Sequence, residues 1–119
     1  MLLVVDDQPS IRQLLYEALS GEGYRVEVAA NGREAVAKVQ RERPELILLD
    51  LKMPGLSGLE TLQEIQKYTP GVPVILVTAY GELSDPGGAE RMGVRSLILK
   101  PFDLNDVRNT VRGVLDGNV

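Results

Sequence analysis

The stretch Leu46-Ile47-Leu48-Leu49-Asp50, followed by Leu51-Lys52-Met53-Pro54-Gly55, decides how this chain is read. An unbroken apolar run bounded by a Pro/Gly turn predicts a strand buried on both faces, as the central strands of parallel sheets are. Asp50 closes that strand. A carboxylate in this position has lost part of its hydration, so it sits at the sheet rim, pairs with a cation or is used chemically. Taken alone, Asp50 reads equally well as the start of a turn.

Outward from this stretch, short apolar runs alternate with longer amphipathic segments. Leu2-Leu3-Val4-Val5 predicts a first strand that ends in Asp6-Asp7. Pro9 and Ser10 suit a helix start, and Ile11, Leu14, Leu15, Ala18 and Leu19 keep helical spacing until Gly21 and Gly23 stop them. Arg25 to Ala30 alternates around Val26 and Val28, a second strand. Asn31-Gly32 opens a helix with Ala35, Val36 and Val39 on its apolar face, broken at Arg43-Pro44. Past the central strand, Leu59, Leu62 and Ile65 mark a third helix ending near Tyr68 and Pro70. Pro73 to Thr78 predicts the fourth strand and Val94 to Leu99 the fifth, which ends at Lys100-Pro101. Between them the segment from Glu82 to Met92 carries only a weak pattern. Leu104, Val107, Val111, Val114 and Leu115 complete a last helix. Repeated β-α units of this length predict an α/β fold: one five-stranded parallel sheet with helices on both faces, because right-handed crossovers place them there.

Composition narrows the chemistry. The chain has 119 residues, enough for one domain with a sizeable core, and its 44% hydrophobic content is almost all aliphatic, with 4% aromatic. No apolar run approaches membrane-spanning length, and no signal-peptide pattern is present, so a cytoplasmic domain without membrane contact is expected. The absence of Cys excludes disulfides, thiol catalysis and zinc-thiolate sites, and the absence of His excludes Ser/His/Asp triads, His-based metal sites and a phosphohistidine of the chain's own. A net charge of -4 with no basic stripe argues against direct binding of nucleic acid.

In an open parallel sheet, sites form beyond the carboxyl ends of the strands. Asp6, Asp7, Asp50, Thr78 and Lys100 all stand at such ends. Individually, Asp6 and Asp7 read as helix caps, Thr78 as a strand-end hydroxyl and Lys100 as a surface charge; their joint occurrence at strand ends is what points to a site. Carboxylates sharing one crevice repel each other and raise at least one pKa unless a cation binds, and an all-oxygen donor set without His or Cys favours a hard ion such as Mg²⁺. With Lys100 for positive charge and Thr78 for a hydroxyl, the set suits a phosphoryl group received by a carboxylate.

The spaced motifs Val4-Val5-Asp6-Asp7, Leu48-Leu49-Asp50 with Met53-Pro54-Gly55 and Gly58, Thr78-Ala79, and Lys100-Pro101-Phe102 resemble those of response regulator receiver domains, the CheY-like fold, over essentially all of residues 1–119. The resemblance implies strand order 2-1-3-4-5, Asp50 as phosphoacceptor, and Mg²⁺ among Asp6, Asp7, Asp50 and the Lys52 carbonyl. It also implies that Lys100 holds phosphoryl oxygens and that Thr78 follows the phosphoryl group as a switch hydroxyl. Such a domain assists its own phosphorylation without being a conventional multiple-turnover enzyme. The implied partners are a histidine kinase as donor and a histidine phosphotransferase as acceptor, and a monomer is expected. A cis Lys100-Pro101 peptide is a further implication.

Asp6-Asp7-Gln8, Thr78-Ala79-Tyr80-Gly81-Glu82-Leu83 and Lys100-Pro101-Phe102-Asp103 resemble most closely the single-domain receivers of sporulation phosphorelays, which would put Ile11, Tyr80 and Phe102 at a docking surface for a phosphotransfer helix bundle. Receivers of NtrC-like transcription activators share much of this pattern. Two departures stand out: Leu97 occupies a position that is often aromatic, and Pro86-Gly87-Gly88 falls where a fourth helix should run, at a propensity cost of several kcal/mol in a helix interior. A flavodoxin-like cofactor binder shares the fold class, but Asp6-Asp7-Gln8 replaces the Gly-rich phosphate loop and would repel phosphate unless a metal intervened.

Overall fold

The computed structural model describes residues 1–79, 81–82 and 86–117. The strands are β1 (Leu2–Val5), β2 (Val26–Ala29), β3 (Leu46–Leu49), β4 (Val74–Ala79) and β5 (Val94–Lys100). They form a single parallel sheet in the order β2-β1-β3-β4-β5, with β3 in the middle. All four residues of β3 are buried, as an interior strand covered on both faces requires. The helices are α1 (Pro9–Gly21), α2 (Gly32–Arg41), α3 (Gly58–Tyr68), α4 (Pro86–Arg91) and α5 (Leu104–Leu115).

Strand side chains alternate between faces, so each strand feeds two cores. Leu3, Val5, Ile47, Leu49, Val74 and Leu76 pack with Ala35, Val39, Leu62, Ile65 and Ala89, which places α2, α3 and α4 on one face. Leu2, Val4, Leu46, Leu48, Ile75 and Val77 pack with Leu15, Leu19, Val107, Val111 and Val114, which places α1 and α5 on the other. Burying one such aliphatic side chain is worth roughly 1.5–3 kcal/mol, so the double-sided packing of β3 fixes the sheet from which Asp50 projects.

Local chemistry starts the helices where the apolar periodicity expects them. The Asn31 side chain accepts from the Glu34 N–H, and Ser57 with Glu60 forms a reciprocal capping box at α3. Asp103 accepts from the Asn105 N–H at α5. The segment with the weakest sequence pattern does contain a helix, but α4 is only 6 residues long. Ala89 of α4 is buried in the core it shares with α2 and α3, so packing supports helix in a segment of low propensity. Leu83, Ser84 and Asp85 lie outside the described residues, as do Asn118 and Val119.

Candidate functional site

Parallel strands end at one edge, and register decides which residues meet there. Val5 pairs with Leu49, Leu49 with Leu76, and Ala79 with Lys100, so Asp6, Asp50, Thr78 and Lys100 emerge on the same edge. Thr78 and Lys100 belong to the last paired rungs of β4 and β5, which run one residue beyond the ends that the sequence suggests, to Ala79 and Lys100. Asp7, Gln8, Asp50, Lys52, Ala79, Glu82 and Lys100 line a cleft of about 360 Å³ at this edge.

Asp6 and Asp50 are both buried, at 1% and 4% exposure, while Asp7 is half-buried. Carboxylate oxygens of Asp6, Asp7 and Asp50 lie within 4.8 Å of one another. Lys100 Nζ supplies the nearest positive charge, 3.0 Å from Asp6 Oδ2 and 3.4 Å from Asp50 Oδ2. Asp50 Oδ1 accepts from the Lys52 N–H at 3.3 Å, while the Lys52 residue itself is exposed at the cleft. Burial pushes the Asp50 carboxyl above its ordinary range; the Lys52 N–H opposes this, Asp6's charge adds to it and Lys100 opposes it again. The expected mutual repulsion is thus present, but burial contributes more. Burial would lower the Lys100 ammonium, yet its hydrogen bond and charge contact with Asp6, reinforced by Asp50, leave it raised and firmly protonated.

Neighbouring groups hold the acidic loop in place. Arg12 Nη1 donates to the Asp6 carbonyl at 2.8 Å, and the Gln8 N–H donates to Asp6 Oδ1 at 2.9 Å. Gln8 precedes α1 but its side chain makes no cap; Gln8 Oε1 instead accepts from Lys100 at 3.3 Å. Gly58 sits so close to the loop after β3 that a Cβ there would meet the Asp50 carbonyl at 2.7 Å. Thr78 is buried, and its hydroxyl donates to Glu82 Oε2. That hydrogen bond is the main reason the Glu82 carboxyl is held below its usual range.

The structure therefore brings Asp7, Asp50, Lys52 and Lys100 into one cleft, with buried Asp6 joined to it through Lys100 and Thr78 joined to its rim through Glu82. Sequence reasoning missed the parts played by Gln8, Arg12 and Glu82, none of which stands on an apolar strand end. Lys100-Pro101 is cis, as expected. Ile11 and Phe102 are half-buried against the α1/α5 core, and Leu97 is exposed on β5. The expectations for Tyr80 fall outside the described residues.

The response regulator receiver domain family matches residues 2–112. The chain belongs to that family. This receiver is 42% identical over 114 residues to sporulation initiation phosphotransferase F of Bacillus subtilis (strain 168), spanning 96% of this chain and 92% of that protein. It is 38% identical over 115 residues to the transcriptional regulatory protein GlrR of Escherichia coli (strain K12), where the match spans 97% of this chain but 26% of the relative. Response regulator protein TrrA of Thermotoga maritima, solved in complex with Mg(2+)-BeF, superposes with a TM-score of 0.84 at 37% identity, covering 95% of this chain and 96% of the other. Among the described residues no helix is long and apolar enough to cross a membrane.

Proposed function

We propose that this receiver is a phosphorelay intermediate that takes a phosphoryl group from a phosphohistidine onto Asp50 and passes it to a histidine on another protein. The observation that carries this reading is the setting of Asp50: a buried carboxylate at the end of the central strand, 3.4 Å from the Lys100 ammonium and within 4.8 Å of Asp6 and Asp7. An Asp50 carboxylate oxygen forms the new bond to phosphorus, the phosphorus–nitrogen bond breaks, and its electron pair returns to the donor imidazole. Lys100 balances charge on the transferring oxygens and positions Asp50, and the Thr78 hydroxyl becomes a donor to the acyl phosphate. Transfer onward reverses these steps.

The donor set fits a hard cation, since Asp6, Asp7 and Asp50 offer clustered carboxylate oxygens and the sequence has no His or Cys to compete. Asp6, Asp7, Asp50 and the Lys52 carbonyl would hold Mg²⁺, which when bound offsets negative charge on the phosphoryl oxygens. The similarity to a sporulation phosphotransferase along nearly the whole of both chains supports a histidine kinase and a histidine phosphotransferase as partners, and a monomeric state and a cytoplasmic setting are part of the same proposal. A second reading, the receiver of a longer transcriptional regulator, draws on the GlrR match and on Leu97 and Leu99, both exposed on β5 where an output surface could pack.

The experiment is intact-mass measurement after treatment with acetyl phosphate. One added phosphoryl group is expected on the wild type with Mg²⁺, and none on Asp50→Asn or in the presence of chelator. Equal modification of the wild type and Asp50→Asn would overturn the assignment.

A further inference from the structure

The turn after β4 places another anion in the cleft, one for which the phosphotransfer reading has no use. Glu82 lies four positions beyond Thr78, and Gly81, at φ +86, supplies the left-handed backbone that a tight reversal favours. Glu82 Oε2 accepts from the Thr78 hydroxyl and also, at 3.2 Å, from the Ala79 N–H. Ala79 and Glu82 line the same cleft as Asp50 and Lys100.

A Glu that only closed a turn could rest on the Ala79 N–H alone and leave its other contacts to water. Thr78, however, is 1% exposed, so its hydroxyl has no solvent to turn to if Glu82 departs, and a buried donor left without an acceptor is costly. A phosphoryl group on Asp50 brings three acceptor oxygens, more than Lys100 can serve while it also donates to Asp6 and Gln8. Among the described residues, the donors on the β4 side of the cleft are the two that Glu82 already holds. A carboxylate and a phosphoryl group cannot share them, because both are anionic.

We propose that Glu82 is a resident stand-in for the phosphoryl oxygens: it holds the Thr78 hydroxyl and the Ala79 N–H until a phosphoryl group on Asp50 displaces it. The inference rests on the reading of Asp50 as phosphoacceptor. No covalent bond changes in the exchange. Thr78 keeps its proton and redirects it from a carboxylate oxygen to a phosphoryl oxygen, and Glu82 moves out to water. Glu82 thereby sets a threshold on loading of the site and ties the turn after β4 to the state of Asp50.

Beryllofluoride with Mg²⁺, a non-reactive mimic of the phosphoryl group, is the probe. Its affinity is measured for the wild type, Asp50→Asn, Glu82→Ala, Glu82→Gln, Thr78→Val and the Thr78→Val/Glu82→Ala pair. Loss of one charge-assisted contact predicts that Glu82→Ala binds roughly fivefold to tenfold more tightly than wild type, with Glu82→Gln between them. In the Thr78→Val background most of that gain should vanish, since the hydroxyl that Glu82 occupies is gone. Unchanged or weaker binding by Glu82→Ala overturns the proposal. So does a gain of equal size in the Thr78→Val background, which would reflect charge repulsion alone. Binding by Asp50→Asn as tight as by the wild type is a different result: it would remove the phosphoacceptor reading, and this inference with it.

Discussion

Lys100 Nζ stands 3.0 Å from Asp6 Oδ2, a contact that joins residues 94 positions apart. In the sheet order β3 and β4 lie between their strands, so the lysine reaches across the width of the site rather than to a neighbour. It is the cation that makes two buried carboxylates tolerable. Lys100→Ala leaves Asp6 and Asp50 facing each other without it, and removing one partner of a buried pair costs about 3 kcal/mol or more. Urea unfolding in chelator should show that loss. Millimolar Mg²⁺ should stabilise both proteins by mass action, and the variant more, because the cation then replaces the missing charge. An unchanged midpoint in Lys100→Ala, or no Mg²⁺ effect on either protein, would contradict the shared acidic site.

The raised Asp50 carboxyl gives a pH signature. A group whose folded pKa lies above its unfolded value contributes stability below the unfolded pKa and loses it as pH rises through the folded one. For Asp50 the window opens at the ordinary value of 3.8 and extends upward to its raised folded value. In chelator, Asp50→Asn should therefore melt above the wild type at neutral pH, with the difference shrinking as pH falls through that window. Thermal melts of the two proteins across pH 4–7 provide the check. A gap that widens as pH falls has the wrong sign for a carboxyl raised by burial.

Much of this molecule was legible because its strands are apolar runs and its site residues close them. Leu46 to Leu49 could only be an interior strand, and once β1, β4 and β5 were parallel to it, Asp6, Thr78 and Lys100 had to share its edge. The capping box of Ser57 and Glu60 at α3 has a Ser-x-x-Glu spacing that the sequence itself displays. The weak segment after β4 resisted for a different reason: Pro86-Gly87-Gly88 has low helix propensity, and the burial of Ala89 that supports α4 is a tertiary contact no local pattern displays. Glu82 was illegible in the stronger sense. Its partner is chosen by a turn through Gly81, and no periodicity marks a side chain that folds back onto its own strand.

Gly58 carries a packing constraint with a sharp consequence. A Cβ built there would lie 2.4 Å from the Leu51 Cα and 2.7 Å from the Asp50 carbonyl oxygen, both backbone atoms that cannot rotate away. Gly58→Ala should destabilise by about 3 kcal/mol, at the upper end of overpacking costs, and should shift the loop that follows Asp50. Gly21 is the control. It ends α1 with nothing within 4 Å of a built Cβ, so Gly21→Ala should be neutral or stabilising by up to roughly 1 kcal/mol. Comparable midpoints for the two variants in urea would refute the close-approach argument.

The lifetime of the phosphoryl group separates a relay intermediate from a fast switch, and the side chains at the mouth of the cleft control it. Hydrolysis of an acyl phosphate needs a water placed in line with phosphorus. Lys52, two positions beyond Asp50, is exposed and lines the cleft. Its ammonium has donors but no lone pair, so it can crowd the approach without accepting a proton from the attacking water or orienting it. Self-dephosphorylation should accordingly be slow, leaving transfer to a partner histidine as the main exit. Lys52→Asn supplies an amide oxygen that can accept from such a water and shortens the side chain, and it should speed decay by on the order of tenfold. Lys52→Ala opens the approach without an acceptor and should fall between the two. The check is the decay of the phosphorylated species by intact mass, after removal of acetyl phosphate, in buffer containing Mg²⁺. If the wild type decays as fast as Lys52→Asn, the shielding argument fails, and the receiver of a longer transcriptional regulator becomes the better account of this chain.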